Sequence, residues 1–298
     1  MPASELLAEA EAFFHIFGLH AFNHASLKTT NDARLHSVIT IDFMYSPLRA
    51  IISSINSAVD LRLFAEYGSI FVTTATPPPT VIFRDAGEVE SFQSLLKIRR
   101  AAIGDYEIAL QSEAMDALIR AASEMNDRAG QITARADDSG GRSYDDTVRL
   151  WARNVSRGLD HWESEGRISA ERARAIRDLS PVEQVAVILE LEERERLYFG
   201  TFLNRSILYS VAAPGASQHL SMLAFDVAEY KDETVERTLN LHGWFRTVPN
   251  DLPHFTYLGL REEDLQGVGL KRVSYDYDDR DYSFWVPDLD MLRVSSRK

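Results

Sequence analysis

Cysteine is absent from all 298 residues of the sequence. This absence excludes disulfide frameworks, thiolate zinc fingers, iron–sulfur clusters and cysteine nucleophiles. Because proteins of any compartment can lack cysteine, it does not indicate where the protein resides.

Positive charge is scarce, since 32 lysines and arginines face 45 aspartates and glutamates, giving a net charge of −13. A surface this acidic repels phosphate backbones, so we predict no binding of nucleic acid. Long hydrophobic runs are also missing, and nothing approaches the roughly 18 apolar residues of a membrane span. The first residues lack the basic stretch of a secretory signal. The sequence leaves open whether a signal has been removed or the protein stays inside the cell, and it does not indicate an oligomeric state.

The hydrophobic fraction of 45% is enough for one large domain or two modest ones. The stiff run Pro77–Pro79 is the best candidate boundary, which predicts a small mixed N-terminal region of unknown role over 1–80 and a main domain over 81–298. Hydrophobic periodicity and capping residues predict an α+β fold. The predicted helices cover 5–22, 48–67, 111–128, 144–154 and 181 to about 198, and the predicted strands 37–45, 69–74, 80–83, 131–134 and 223–227.

Two histidines near the N-terminus, His20 and His24, have the four-residue spacing that places two imidazoles on one helical face. No glutamate lies between them to act as a base, and no third ligand is evident nearby. We therefore interpret this pair as packing or surface residues.

A richer set of metal-ligating residues lies in the second half of the chain. His219 stands in a loop before a predicted strand, Asp226 lies in that strand between two alanines, and His254 begins a later strand candidate close to Asp251. Two histidines and one carboxylate form a standard ligand set for catalytic zinc, with the fourth position left for water. Spacing alone leaves open that these residues never meet and serve only as packing, capping and surface groups.

The segment Ser217–Asp226 resembles the signature S-x-H-x-x-G-x-A-x-D of the zinc D-Ala-D-Ala carboxypeptidases and dipeptidases, which include enzymes of vancomycin resistance. That family shares its fold with the Hedgehog and lysostaphin-type peptidases. The resemblance spans roughly 110–160 and 200–290, and it implies a small antiparallel sheet that holds the metal site, with helices packed on it. It also implies Zn²⁺ bound by His219, Asp226 and His254.

Further roles are implied by the same resemblance. Asp251 occupies the place of the glutamate base in the family's E-x-W-H motif, and Ser217 is expected to bind the substrate's terminal carboxylate. An arginine that stabilises the developing oxyanion is expected at Arg142, in a G-R-S-Y context similar to the family's, or at Arg135. The implied substrate is a peptide ending in D-alanine, such as a peptidoglycan stem, and the implied location is the cell envelope.

Three residues depart from the family pattern: Met222 replaces the signature glycine, Pro253 replaces the tryptophan, and Asp251 replaces the glutamate. The last change shortens the base by one carbon–carbon bond, about 1.5 Å. It therefore keeps open an alternative, a catalytically weakened relative that acts as a peptidoglycan-binding module. A third hypothesis, a helical interaction protein with an incidental motif, requires that the three ligands do not converge.

Overall fold

A computed structural model describes residues 47–294. The predicted helix 5–22, the predicted strand 37–45 and the His20–His24 pair lie outside the described residues. Within 47–294 the chain is mixed α and β with small antiparallel sheets, which confirms the α+β class at this level. None of the helices in this part of the chain is long and apolar enough to span a membrane.

The described helices are α1 Pro47–Ser54, α2 Ala58–Tyr67, α3 Ala86–Gln93, α4 Ser112–Asp127, α5 Tyr144–Ser164, α6 Ala170–Arg177, α7 Pro181–Glu190, α8 Glu233–Leu241 and α9 Leu289–Val294. The strands are β1 Ile98–Ile103, β2 Tyr106–Gln111, β3 Ala224–Asp226, β4 Trp244–Phe245, β5 His254–Tyr257, β6 Leu270–Tyr277 and β7 Arg280–Pro287. They form two hairpins, β1–β2 and β6–β7, and a three-stranded antiparallel sheet of order β3–β5–β4.

The predicted helix starts at Tyr144 and Pro181 are confirmed, because each helix begins with a capping box. Ser143 and Asp146 cap α5 reciprocally, and Ser180 with Glu183 does the same for α7. Both boxes satisfy backbone N–H groups that a helix leaves without partners in its first turn. Helix α4 likewise confirms the helix predicted over 111–128.

Other predicted elements were wrong. The helix predicted over 48–67 is two helices, because Ser57 caps α2 through the backbone N–H of Asp60. The strand predicted over 69–74 is a 3-10 helix, Gly68–Val72, whose apolar residues are buried all the same. The segment 80–83 is not a strand, and 131–134 contributes a single bridge, Ala134 to Val227. The β1–β2 hairpin lies in a stretch for which no strand was predicted.

The end of α7 also differs from the prediction of a helix that runs to about residue 198. The helix widens into a π-helical turn, Leu191–Glu195, and stops at Arg196 in the left-handed conformation. Glu192 is only 1% exposed and accepts hydrogen bonds from the backbone N–H groups of Phe199 and Ile207 and from the Ser206 hydroxyl. Burial raises the pKa of Glu192 to about 7. This carboxyl group ties down the loop that follows the helix.

Two large clusters of buried side chains hold the molecule together. One joins α4 and the three-stranded sheet to Leu48 and Phe64, and the other joins α5, α6 and α7 to Leu63 and Tyr67. Both clusters therefore contain residues from each side of Pro77–Pro79. Each hydrophobic core extends across the boundary predicted at residue 80.

Gly215 occupies a turn that leads into the segment of the predicted signature, and we expect Gly215→Ala to destabilise the fold by about 3 kcal/mol or more. The φ of Gly215 is +79°, and a Cβ there would lie 1.9 Å from the carbonyl oxygen of Phe83. A left-handed residue other than glycine costs about 1–2 kcal/mol, and a clash with backbone adds to this because no side-chain rotation relieves it. Urea unfolding would measure the change.

The matched control is Gly166→Ala, because Gly166 has a similar φ of +67° but nothing within 4 Å of the added Cβ. The free energy of unfolding of this variant should fall only by the cost of the left-handed backbone, about 1–2 kcal/mol. Equal losses in the two variants would show that the contact with Phe83 is not tight.

Candidate metal centre

The three-stranded sheet brings two of the predicted ligands together. Strands β3 and β5 are antiparallel, and Asp226 stands directly opposite His254 in their register. Residues opposite each other in an antiparallel pair have Cα atoms about 4.5–5.5 Å apart. The strand pairing itself therefore places the carboxylate beside the imidazole.

The third ligand, His219, comes from a 3-10 helix, Gln218–Ser221, that immediately precedes β3. This helix ends at Met222, whose left-handed backbone (φ 54°) turns the chain into the strand. Glycine adopts that conformation without strain, which explains why the family signature has glycine there. Met222 is not among the residues that line the cavity beside the ligands. Methionine in place of the signature glycine therefore does not narrow this cavity.

The ligand atoms converge on one oxygen of Asp226. Oδ1 of Asp226 lies 3.4 Å from Nε2 of His219 and 3.3 Å from Nδ1 of His254, and the three atoms lie within 4.8 Å of one another. Tetrahedral bonds of about 2.0–2.1 Å to a zinc ion would place ligand atoms about 3.3–3.4 Å apart. The two distances from Oδ1 of Asp226 thus fit a small tetrahedral cation.

Hydrogen bonds fix which nitrogen of each histidine is free. Nδ1 of His219 lies 2.6 Å from the carbonyl oxygen of Gly140, so it must carry the proton and leave Nε2 bare. Nε2 of His254 lies 2.9 Å from Oε1 of Gln218, whose amide nitrogen donates to the carbonyl oxygen of Tyr67. That amide orientation makes Nε2 the donor and leaves Nδ1 of His254 bare. Both bare nitrogens are those that face Asp226, the arrangement that metal-ligating histidines require.

Only one of the two carboxylate oxygens of Asp226 has a hydrogen-bond partner among the described residues. Its Oδ2 accepts a hydrogen bond of 3.0 Å from Nη2 of Arg142, whereas its buried Oδ1 has no partner among the described residues. Burial lowers the pKa of His219, which keeps that imidazole neutral. A buried carboxylate oxygen without a donor is costly, and a cation between the three ligands would remove the cost.

Of the two candidate arginines, only Arg142 reaches the site with its side chain. Its guanidinium contacts Asp226 and lies 3.5 Å from Asp138. Arg135 is exposed, and its contact with the site is a backbone N–H that donates to the carbonyl oxygen of Asp226. The chain contains both arginines near the family's position, and the geometry selects Arg142.

A cavity of about 470 Å³ opens over the ligands, and its walls include His219, His254, Arg142, Ser217 and Asp251. The Ser217 side chain makes no capping hydrogen bond to the 3-10 helix that it precedes. A tight turn holds Asp251 against the cavity, because its carbonyl oxygen accepts from the N–H of His254 at 3.2 Å. Asp251 is exposed at the surface, and desolvation of its carboxyl group on the side of the cavity, together with the nearby charge of Asp226, raises its pKa.

Sequence reasoning missed two residues of this site, Gln218 and Tyr67. Gln218 falls at a variable position of the signature, and its amide oxygen accepts from Thr247, Thr256 and His254. Tyr67 lines the cavity from α2, and its buried hydroxyl has no hydrogen-bond partner in the part of the chain that the structure describes. No spacing pattern points to either residue, since the groups that Gln218 binds, including the carbonyl oxygen of Tyr67, are distant from it in sequence.

Comparison of the sequence with models of known protein families gave no match, and comparison with curated proteins gave none either. The functional interpretation therefore depends on the geometry of the site and on the signature residues.

We expect Gln218→Ala to weaken metal binding about 10- to 100-fold, the usual effect of losing a group that orients a ligand. Without the amide oxygen, His254 loses the acceptor that fixes its tautomer and ring. Zinc affinity would be measured by competition with a chromophoric chelator. The control is Thr247→Val, which removes one hydroxyl from the same amide but leaves its contact with His254. Equal zinc affinities in the two variants would contradict the tautomer argument.

Proposed function

We propose that the protein is a metal-dependent hydrolase, and within that class a zinc D-alanyl-D-alanine carboxypeptidase. The observation that carries the proposal is the convergence of His219, Asp226 and His254 beside a cavity that both histidines line together with Asp251 and Arg142. A ligand triad, a carboxyl group and a guanidinium around one opening supply the groups that peptide hydrolysis requires.

The metal would be held by the two bare imidazole nitrogens and Oδ1 of Asp226. Two histidines, one carboxylate and tetrahedral spacing favour zinc over the larger oxygen-bound cations. When bound, such an ion acts as a Lewis acid and lowers the pKa of water to about 7.

Asp251 serves as the general base in this proposal. Its carboxylate accepts a proton from the attacking water and returns it to the leaving amine. Desolvation beside the cavity raises the pKa of Asp251 above the ordinary aspartate value. The raised pKa lies closer to the pH at which the proton must be exchanged.

Arg142 and Ser217 provide the hydrogen-bond donors. The Arg142 guanidinium, already oriented by its 3.0 Å bond to Asp226, stabilises the charge that develops on the scissile carbonyl oxygen. The Ser217 hydroxyl, which caps nothing, donates to the terminal carboxylate of the substrate. These local donors receive an anionic substrate even though the chain carries a net charge of −13.

The substrate class rests on the resemblance of Ser217–Asp226 to the D-Ala-D-Ala peptidase signature. It supports hydrolysis of the terminal D-alanine of peptidoglycan stem peptides, a Hedgehog-like peptidase fold and a place in the cell envelope. The binding-module alternative is favoured by one observation, Asp251 in place of the family's glutamate. The interaction-protein hypothesis loses its premise, because the three ligands converge.

The direct test uses zinc-loaded protein and two peptides that end in D-Ala-D-Ala or L-Ala-L-Ala, with released alanine measured by mass spectrometry. We expect release from the D-peptide alone and its loss on addition of a chelator. Zinc-dependent binding of the D-peptide without release would favour the binding module. A D-peptide that is neither bound nor cleaved would refute both forms of the proposal.

A further inference from the structure

The cavity extends away from the metal ligands along α5, where two arginines, Arg153 and Arg157, form part of its wall. They are spaced four residues apart, so they lie on one face of the helix. Asn154, on the adjoining turn, and Thr201, in the loop tied down by Glu192, belong to the same wall. This end of the cavity is polar and positively charged.

Neither guanidinium is neutralised. Two other arginines on α5 and on the neighbouring α6 pair with carboxylates: Arg149 with Asp146, and Arg177 with Asp160. Arg153 and Arg157, by contrast, have no carboxylate within 4.0 Å in the described residues, although acidic residues outnumber basic ones by 13 in the chain.

Arg157 is held in place by neutral acceptors. It donates to Oδ1 of Asn154 and to the carbonyl oxygen of Gly200 at 3.3 Å. These bonds orient the guanidinium without cancelling its charge. An oriented and uncompensated guanidinium on a cavity wall is suited to bind a carboxylate.

Helix geometry gives an approximate separation along α5 between the two ends of the cavity. Arg142 lies two residues before Tyr144, the first residue of α5, and Arg153 lies nine residues after it, a rise of about 14 Å. Arg157 lies one turn further on, and its side chain leans back toward Arg153 because helical side chains point toward the N-terminus. An extended peptide spans about 3.3–3.6 Å per residue, so this rise corresponds to about four residues. Because a carboxypeptidase leaves a single residue on the carboxyl side of the scissile bond, the rest of the substrate must extend the other way.

We propose that Arg153 and Arg157 form a specificity subsite for a carboxylate-bearing residue three or four positions before the scissile bond. The proposal rests on the proposed function and narrows its substrate to acidic peptides longer than a dipeptide. The cavity of about 470 Å³ lies within the range that holds ligands larger than a dipeptide.

The test measures binding of product peptides, which lack the terminal D-alanine and are not cleaved. Two fluorescent peptides that end in a single D-alanine would carry glutamate or glutamine three residues before it, and anisotropy with the zinc-loaded protein would give their affinities. We expect the glutamate peptide to bind about 10-fold more tightly, the effect of one partly exposed charge-assisted contact. Raising the salt concentration should weaken the binding of that peptide more than the binding of the glutamine peptide.

The variants Arg153→Ala and Arg157→Ala should each reduce this preference, and the double variant should abolish it. Arg149→Ala is the matched control, because Arg149 lies one helical turn before Arg153 and is paired with Asp146 outside the cavity. Equal affinities of the two peptides for the unmodified protein would overturn the proposal, as would a preference that survives in the double variant.

Hydrolysis of the corresponding longer peptides separates this proposal from the function on which it rests. If the subsite and the proposed function are both correct, KM for the glutamate peptide should be higher in the double variant, whereas kcat should be nearly unchanged. Cleavage of both peptides with equal kcat/KM would refute the subsite and leave the function standing. An arginine-dependent binding preference without any cleavage would support the subsite and refute the enzyme.

Discussion

Asp251→Asn is expected to slow D-alanine release by about 100- to 10,000-fold, the usual contribution of a general acid–base residue. The amide has nearly the shape of the carboxylate but cannot accept the proton of the attacking water. The residue is not one of the three ligands, so zinc content should not change. Initial rates on a D-Ala-D-Ala peptide, together with metal analysis of the same samples, would measure both quantities.

The matched control is Asp138→Asn. Asp138 is a carboxylate 3.5 Å from Arg142, but it does not line the cavity. Its loss should change the rate by no more than a few-fold, because surface ion pairs contribute little. Similar losses in the two variants would show that the rate depends on the charge around Arg142 and not on a base at residue 251.

Asp251→Glu distinguishes a working enzyme from a weakened one. In a site shaped for aspartate, the longer side chain misplaces the carboxylate, and an error of about 1 Å can cost on the order of 100-fold in rate. In a weakened relative, the same change restores the family's residue and raises the rate. We expect the rate to fall. An unmodified protein that binds zinc but releases no D-alanine, and that gains this activity with Asp251→Glu, would refute the enzyme proposal and favour the binding module.

His254→Ala and His219→Ala are expected to abolish tight metal binding and the stability that depends on it. A ligand at 1,000 times its Kd stabilises the folded state by about 4 kcal/mol. For a chain of this size, that corresponds to a Tm higher by roughly 10 °C. A chelator should therefore lower the Tm of the unmodified protein by this amount and leave the Tm of either variant unchanged.

Comparing each variant with and without chelator removes the effect of the cavity that the substitution creates. His242→Ala is the control histidine, since its imidazole pairs with Glu124 and not with the metal ligands. It should keep the full response to chelator. A similar response in the His254 variant would contradict the ligand assignment.

Local signals in the sequence were enough for several elements and for the ligands. The serine cap and capping box at Ser180 predicted where α7 begins, because a capping box satisfies backbone groups within four residues. The ligands were predicted from residue types, spacing and the family signature. The strand register that brings Asp226 opposite His254 then explains their convergence.

The errors have a common physical cause, since they concern structure that distant contacts decide. Strand β1 is largely exposed and lacks an alternation of apolar and polar residues. The sequence therefore gives little indication of its pairing with β2. The 3-10 helix Gly68–Val72 is fully buried, and a short buried apolar run has no periodicity to separate it from a strand. Gln218 binds groups of Tyr67, Thr247, Thr256 and His254, and that role exists only in the folded chain.

The zinc content of the purified protein tests the central claim most directly. After incubation with zinc and exhaustive dialysis, elemental analysis should find one zinc ion per chain in the unmodified protein and none in the double variant His219→Ala/His254→Ala. Zinc in the unmodified protein that does not exceed the level in the double variant would contradict the metal centre and every step proposed from it.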